Sequence, residues 1–186
     1  MKDHPISIGF DDATFNLKKK IKSTQLIGVI CQGTRMIRVV REDIIIDGND
    51  ATEKIINLIR DNEKHVQYIL THTITFGGFN LINLSEIYSK TKKPIIAVTE
   101  RDVDLDSVCK ALKNRFPDTY KNKLRYILEA GNLYITDINT AGGLSKLFFH
   151  CKGITIQNTE SLLKKLCIDS KLPESVRMAH LIGKIF

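Results

Sequence analysis

The chain has 186 residues, 42% hydrophobic and 26% charged, with 28 Lys and Arg against 21 Asp and Glu for a net charge of +7. That balance is ordinary for a globular protein, neither disordered nor membrane-like, and no apolar run approaches the ~18–20 residues of a membrane-spanning helix. A basic excess fits a polyanionic partner and a solvated surface equally well.

The length suits one domain over 1–186 with a substantial core. The start, Met1-Lys2-Asp3-His4-Pro5, lacks the apolar stretch of a signal peptide, so the expectation is a cytoplasmic protein. Cys31, Cys109, Cys151 and Cys167 form no Cys-x-x-Cys pair. They read as buried free thiols rather than a cysteine-based zinc site.

Residues 5–10 predict a first strand that ends in Asp11-Asp12, followed by a basic run at 18–22. Strands at 26–31 and 36–46 are joined by Gln32-Gly33-Thr34-Arg35, a hairpin signal, and the three together predict an antiparallel meander. The pattern then changes. Ile55, Ile56, Leu58 and Ile59 line one face of a helix over 51–60. A strand at 66–71, a helix at 81–89, a strand at 94–98 and a helix at 105–116 alternate as parallel βαβ units do. A helix over 120–130 stops at Gly131-Asn132, and strands are expected at 133–138 and 146–150. Asn158 is placed as the cap of a helix through 167, and Pro173 opens a last one through 185. The pattern is that of a mixed α/β domain.

Four groups of residues can carry chemistry. Asp11 and Asp12 end a strand and point to opposite faces, so one of them can address a given site. Such a carboxylate can hold a divalent ion, act as a base, or cap a turn. Asp47, Asp50 and Glu53 follow the strand 44–46, and Asp50 with Glu53 matches a capping box, which leaves Asp47 unexplained. His72 closes the strand at 66–71, a place where open sheets collect ligands and catalytic groups. It reads as a metal ligand, a base or a satisfied polar strand end. Gly77 and Gly78 permit positive φ or close backbone approach, and Asn80 with nearby amides can hold a phosphate or a base edge, or serve as a turn. His180, among Met178, Ala179, Leu181 and Ile182, reads as a core or interface histidine. The runs 18–22, 90–93 and 121–125 offer nonspecific phosphate contacts or solvated faces.

Four segments, taken together, resemble a known family: Gly-x-Asp-Asp at 9–12, Asp-Gly-x-Asp-Ala-Thr-Glu at 47–53, Ile-Thr-Phe-Gly-Gly-Phe-Asn at 74–80, and Leu-Pro-Glu-x-x-Arg-x-Ala-His-Leu-Ile at 172–182. They are similar to the archaeal endonuclease dU family, a relative of endonuclease V. The resemblance implies a ribonuclease H-like core of three antiparallel strands followed by parallel strands with helices on both faces. It further implies a Mg2+- or Mn2+-dependent endonuclease acting on nucleic acid with deaminated bases, DNA more than RNA. Asp11 matches the first-strand carboxylate, Glu53 is the candidate for the second, and Asp12 or Asp47 would complete the metal shell. Gly77, Gly78 and Asn80 correspond to the base-binding region. The third carboxylate is replaced: where the family usually reads Asp-Gly, this chain has His72-Thr73. The competing reading is a catalytically impaired nucleic-acid-binding protein of the same fold.

Overall fold

The computed structural model describes residues 3–16, 21–62 and 64–186. Most of the basic run at 18–22 therefore lies outside the described residues. Strands β1 (Ile6–Asp12), β2 (Ser23–Gln32) and β3 (Arg35–Ile45) form the antiparallel meander, and α1 (Ala51–Arg60) follows. Next come β4 (Tyr68–His72), a two-strand ribbon of β5 (Thr75–Phe76) and β6 (Asn80–Leu81), α2 (Leu84–Thr91) and β7 (Ile95–Thr99). The remainder is α3 (Leu105–Arg115), α4 (Tyr120–Ala130), β8 (Tyr134–Thr140), β9 (Gly143–Lys152), α5 (Ile156–Leu166) and α6 (Glu174–Gly183).

One seven-stranded sheet runs in the order β3-β2-β1-β4-β7-β9-β8. β1, β4 and β7 are parallel neighbours, and the β8–β9 hairpin closes the far edge antiparallel to β7. No helix of the described residues is long and apolar enough to cross a membrane.

The parallel strands read as continuous apolar runs because both their faces are covered. Alternation sorts each strand between two cores. Ile8, Phe10, Ile69, Ile95 and Ala97 pack with Ile55 and Ile59 of α1 and Ile87 of α2. Leu70, Ile96 and Val98 pack on the opposite face with Leu162, Leu163 and Leu166 of α5 and Val176 of α6. Burying each such side chain stabilises the fold by roughly 1.5–3 kcal/mol.

Local differences from the sequence reading have physical causes. The helix expected from 81 starts at Leu84, because Asn80 and Leu81 pair with β5 and Asn83 accepts the Glu86 N–H as cap. Thr155, not Asn158, caps α5: its hydroxyl accepts the Asn158 N–H at 3.2 Å. The capping box at α1 does not form. Asp50 occupies the cap position, but its carboxylate turns back to the Ile45 N–H, and Asn80 Oδ1 accepts the Ala51 N–H instead.

Candidate metal centre

The site begins with a glycine. A Cβ on Gly9 would overlap the Ser175 carbonyl carbon and the Val176 nitrogen, so a bare backbone here lets α6 lie directly on β1. Ser7 and Ser175 hydroxyls meet at 3.3 Å in the same contact, and the Thr14 N–H donates to Gly183 O at 3.0 Å. Glu174 and Arg177 brace the helix through a two-pronged pair, Nε to Oε1 at 2.9 Å and Nη2 to Oε2 at 2.6 Å. Arg177 also reaches Asp169 at 3.0 Å, tying the helix to the preceding loop. His180 follows on this helix.

Strand parity supplies the other two groups. Ile8 and Phe10 face α1, which sends Gly9 and Asp11 toward α6. Leu70 faces the α5–α6 side, which sends His72 the same way. The side chains converge: Asp11 Oδ2 lies 2.7 Å from His180 Nδ1 and 3.1 Å from His72 Nδ1. The two imidazoles stand edge to face with centroids 5.5 Å apart. One ligand atom from each of the three residues lies within 4.8 Å of the others.

Asp11 is buried, and its Oδ1 accepts the Asp12 N–H at 3.0 Å. Asp12 points to the other face, where its Oδ2 accepts the Gly77 N–H at 2.8 Å. Burial first, and then the neighbouring Asp11 charge, raise the Asp12 carboxyl from 3.8 to about 6. Burial pulls the His72 imidazole down, but the hydrogen bond and charge of Asp11, with Glu100 and Asp12, outweigh it, so its pKa is raised. The cluster opens into a cavity of about 300 Å³ that is also lined by Asp12, Phe15 and Lys184.

The remaining residues singled out in the sequence lie around this centre. Glu53 stands exposed in the first turn of α1, outside the Asp11–His72–His180 cluster. Asp47, at φ +58, accepts the Phe79 N–H on Oδ1 at 2.9 Å and pairs through Oδ2 with Arg115 at 2.6 Å. Gly78, at φ +86, passes so close to Asp47 that a Cβ would overlap its carboxylate. Asn80 is fully buried and donates to Ile45 O and Asp50 Oδ1 while capping α1. Lys123 is almost wholly buried and donates to Asp47 O, Gly48 O, Asn49 Oδ1 and Phe79 O. Burial lowers its pKa against the pull of Asp47. The segments 47–53 and 74–80 thus hold one another, and Gly77 joins them to Asp12.

Beyond His72, Thr73 sits at φ +64, a backbone region that disfavours a β-branched residue. It begins the wall of a second cavity of about 680 Å³ at the carboxyl ends of β4 and β7. Thr75, Phe79, Thr99, Asn132 and His150 also line it.

His180 is the member of this cluster that the sequence reads only as a core or interface histidine. Its apolar neighbours in sequence are one turn's worth of mixed helix faces, and its own side chain is 36% exposed. The signal that places it was its position three residues after Arg177 in the segment 172–182.

A mixed sheet in this order, with an aspartate closing β1, is the ribonuclease H-like fold of endonuclease V. The Ciona intestinalis endonuclease V, in complex with a DNA containing inosine followed by a ribo-adenosine, matches it with a TM-score of 0.62. That match covers 95% of this chain and 82% of the other at 10% identity, and it carries the fold alone. A protein of unknown function from Archaeoglobus fulgidus matches with a TM-score of 0.82 and 27% identity over 96% of both chains. The family model for endonuclease dU matches residues 6–186. A UPF0215 protein of Thermococcus sibiricus is 35% identical over 180 residues, 95% of this chain and 89% of the relative. The chain belongs to the endonuclease dU family.

Proposed function

We propose that this protein is a divalent-metal-dependent endonuclease acting on nucleic acid that contains deaminated bases, DNA more than RNA. The observation that supports it most strongly is the convergence of Asp11, His72 and His180 at one end of the sheet, on a fold shared with endonuclease V. The Ciona protein holds inosine-containing DNA, and the same chemistry is assigned here by analogy of fold.

Hydrolysis of a phosphodiester needs charge on the phosphate neutralised and a water made nucleophilic, which a bound divalent ion supplies. In this chain Asp11, His72 and His180 would hold the ion. Of the two ions that the family resemblance implies, magnesium prefers oxygen donors, so the nitrogen-rich cluster favours manganese. Lys184, on the rim of the same cavity, is placed to meet a phosphate oxygen. The larger cavity has room for an extruded base, and the hydroxyls of Thr73, Thr75 and Thr99 with the amide of Asn132 offer polar edges to it. Gly77, Gly78 and Asn80 shape that region by fixing the turn that carries Phe79. Glu53 enters the proposal through the family resemblance.

A second reading, nucleic-acid binding without cleavage, is favoured by one feature. Asp11 Oδ2 is engaged by two imidazoles, one of which, His72, stands where the family's third carboxylate would. One experiment separates the two. Labelled oligonucleotides carrying uracil or hypoxanthine are incubated with the protein and Mg2+, Mn2+, Co2+ or Zn2+, with Asp11→Asn as control. Scission that Asp11→Asn abolishes supports the nuclease. Salt-sensitive binding with every strand intact supports the second reading. Neither scission nor binding at low salt overturns both.

A further inference from the structure

The geometry points to a site built for a first-row transition ion, zinc or cobalt above all, that discriminates against magnesium. The donors are two imidazole nitrogens and one carboxylate oxygen, from His72, His180 and Asp11. Magnesium binds through oxygen, usually one or two carboxylates and retained waters, and gains little from neutral imidazole. Imidazole suits zinc, cobalt and nickel, whose affinities for nitrogen sites rise along the first row. Asp12, the other carboxylate at hand, accepts the Gly77 N–H on Oδ2. Asp12 lines the same cavity but is not among the three residues whose donor atoms converge, so two of those three donors are nitrogens.

Spacing supports the same conclusion. Donors at ~2.0–2.2 Å from one ion lie roughly 2.9–3.5 Å apart for bond angles between right-angled and tetrahedral. Asp11 Oδ2 stands 2.7 and 3.1 Å from the two Nδ1 atoms, in or close to that range, and one donor atom from each of the three residues lies within 4.8 Å of the others. Three protein ligands and an adjoining cavity of about 300 Å³ also match an open zinc site, which keeps a position for water. Strand β4 pairs with β7, and α6 packs Val176 into the core and accepts the Thr14 N–H on Gly183 O, so the donors arrive on regular elements.

This inference concerns what the cluster binds and does not require that the bound form cleaves nucleic acid. The test is therefore direct. Metal-free protein is titrated with Zn2+, Co2+, Mn2+ and Mg2+ by calorimetry, and the cobalt complex is followed by its visible absorption. Zinc and cobalt should bind at one equivalent, at least about 100-fold more tightly than magnesium. Asp11→Asn and His180→Gln should each weaken zinc by about 10–100-fold, with circular dichroism showing that they remain folded. His72→Asp, which restores an oxygen donor of similar reach, should narrow the zinc-to-magnesium ratio by about tenfold or more. Magnesium binding as tightly as zinc would overturn the proposal. So would zinc affinity unchanged in all three variants, or a sulfur-to-cobalt charge-transfer band that puts the ion on cysteine.

Discussion

His180 Nδ1 lies 2.7 Å from Asp11 Oδ2, although 169 residues separate the two in sequence. The contact joins the first strand to the last helix, and His72 completes it from the middle of the chain at 3.1 Å. A group assembled from both ends and the centre of the sequence exists only in the folded molecule. Its chemistry therefore responds to packing as well as to its own side chains.

Gly9 is the packing position to test. Gly9→Ala puts a methyl group against the Ser175 and Val176 backbone, which cannot rotate away. We expect a loss of about 2–3 kcal/mol in urea denaturation. Zinc affinity should fall with it, because α6 must lift and carry His180 from Asp11. Unchanged stability would show that the helix does not ride directly on β1.

Lys123 should be a stability residue rather than a phosphate contact. It donates to three backbone carbonyls and to Asn49 from a buried position. Lys123→Met keeps the stem and leaves those acceptors unpaired, so denaturation should show a loss of about 2–3 kcal/mol. If instead Lys123→Met lowers nucleic-acid affinity with stability intact, the side chain reaches phosphate in solution.

The metal-free protein should lose stability as pH rises through the titrations of Asp12 and His72. Asp12 is raised from 3.8 to about 6 by burial and by Asp11, so the folded state keeps a proton that the unfolded chain has released. That contribution is present below about pH 4 and is lost as pH climbs through about 6. His72, whose raised pKa survives the opposing effect of burial, adds stability below 6.5 that is lost above it. Asp12→Asn keeps an acceptor for the Gly77 N–H without the charge. Its melting temperature relative to the parent should therefore rise between pH 4 and 7. A difference that stays flat across this range would exclude the linkage.

Glu53 separates family analogy from local geometry. Its carboxylate is exposed and lies outside the Asp11–His72–His180 cluster. Glu53→Gln should change zinc affinity by less than about twofold, against the 10–100-fold expected for Asp11→Asn. An equal loss in both variants would make Glu53 a ligand of the same ion.

Much of the fold was legible because periodicity records burial. The meander, the βαβ alternation and most helix spans follow from which faces are apolar. Parity showed that Asp11 and Asp12 take opposite faces, but both faces of β1 and β4 are apolar, so only the two cores show that Asp11 and His72 share one side. The capping arrangement at α1 was not legible. Asp50 and Glu53 satisfy the local pattern, but Asn80, 29 residues beyond Ala51, reaches the helix end first. Sequence spacing cannot show a side chain that arrives from another element.

By itself, then, the sequence determined the order of elements, the family pattern, and the replacement of the family's acid by His72. Each of these is written in local residue types and their spacing. Only the tertiary structure decided that His180 leaves the helix surface for Asp11, that Asp47 is held by Phe79 and Arg115, and that segments 47–53 and 74–80 brace one another. The physical reason is close packing: α6 can approach β1 as nearly as it does because Gly9 lacks a side chain. Until that approach is made, two histidines and an aspartate remain three unrelated residues.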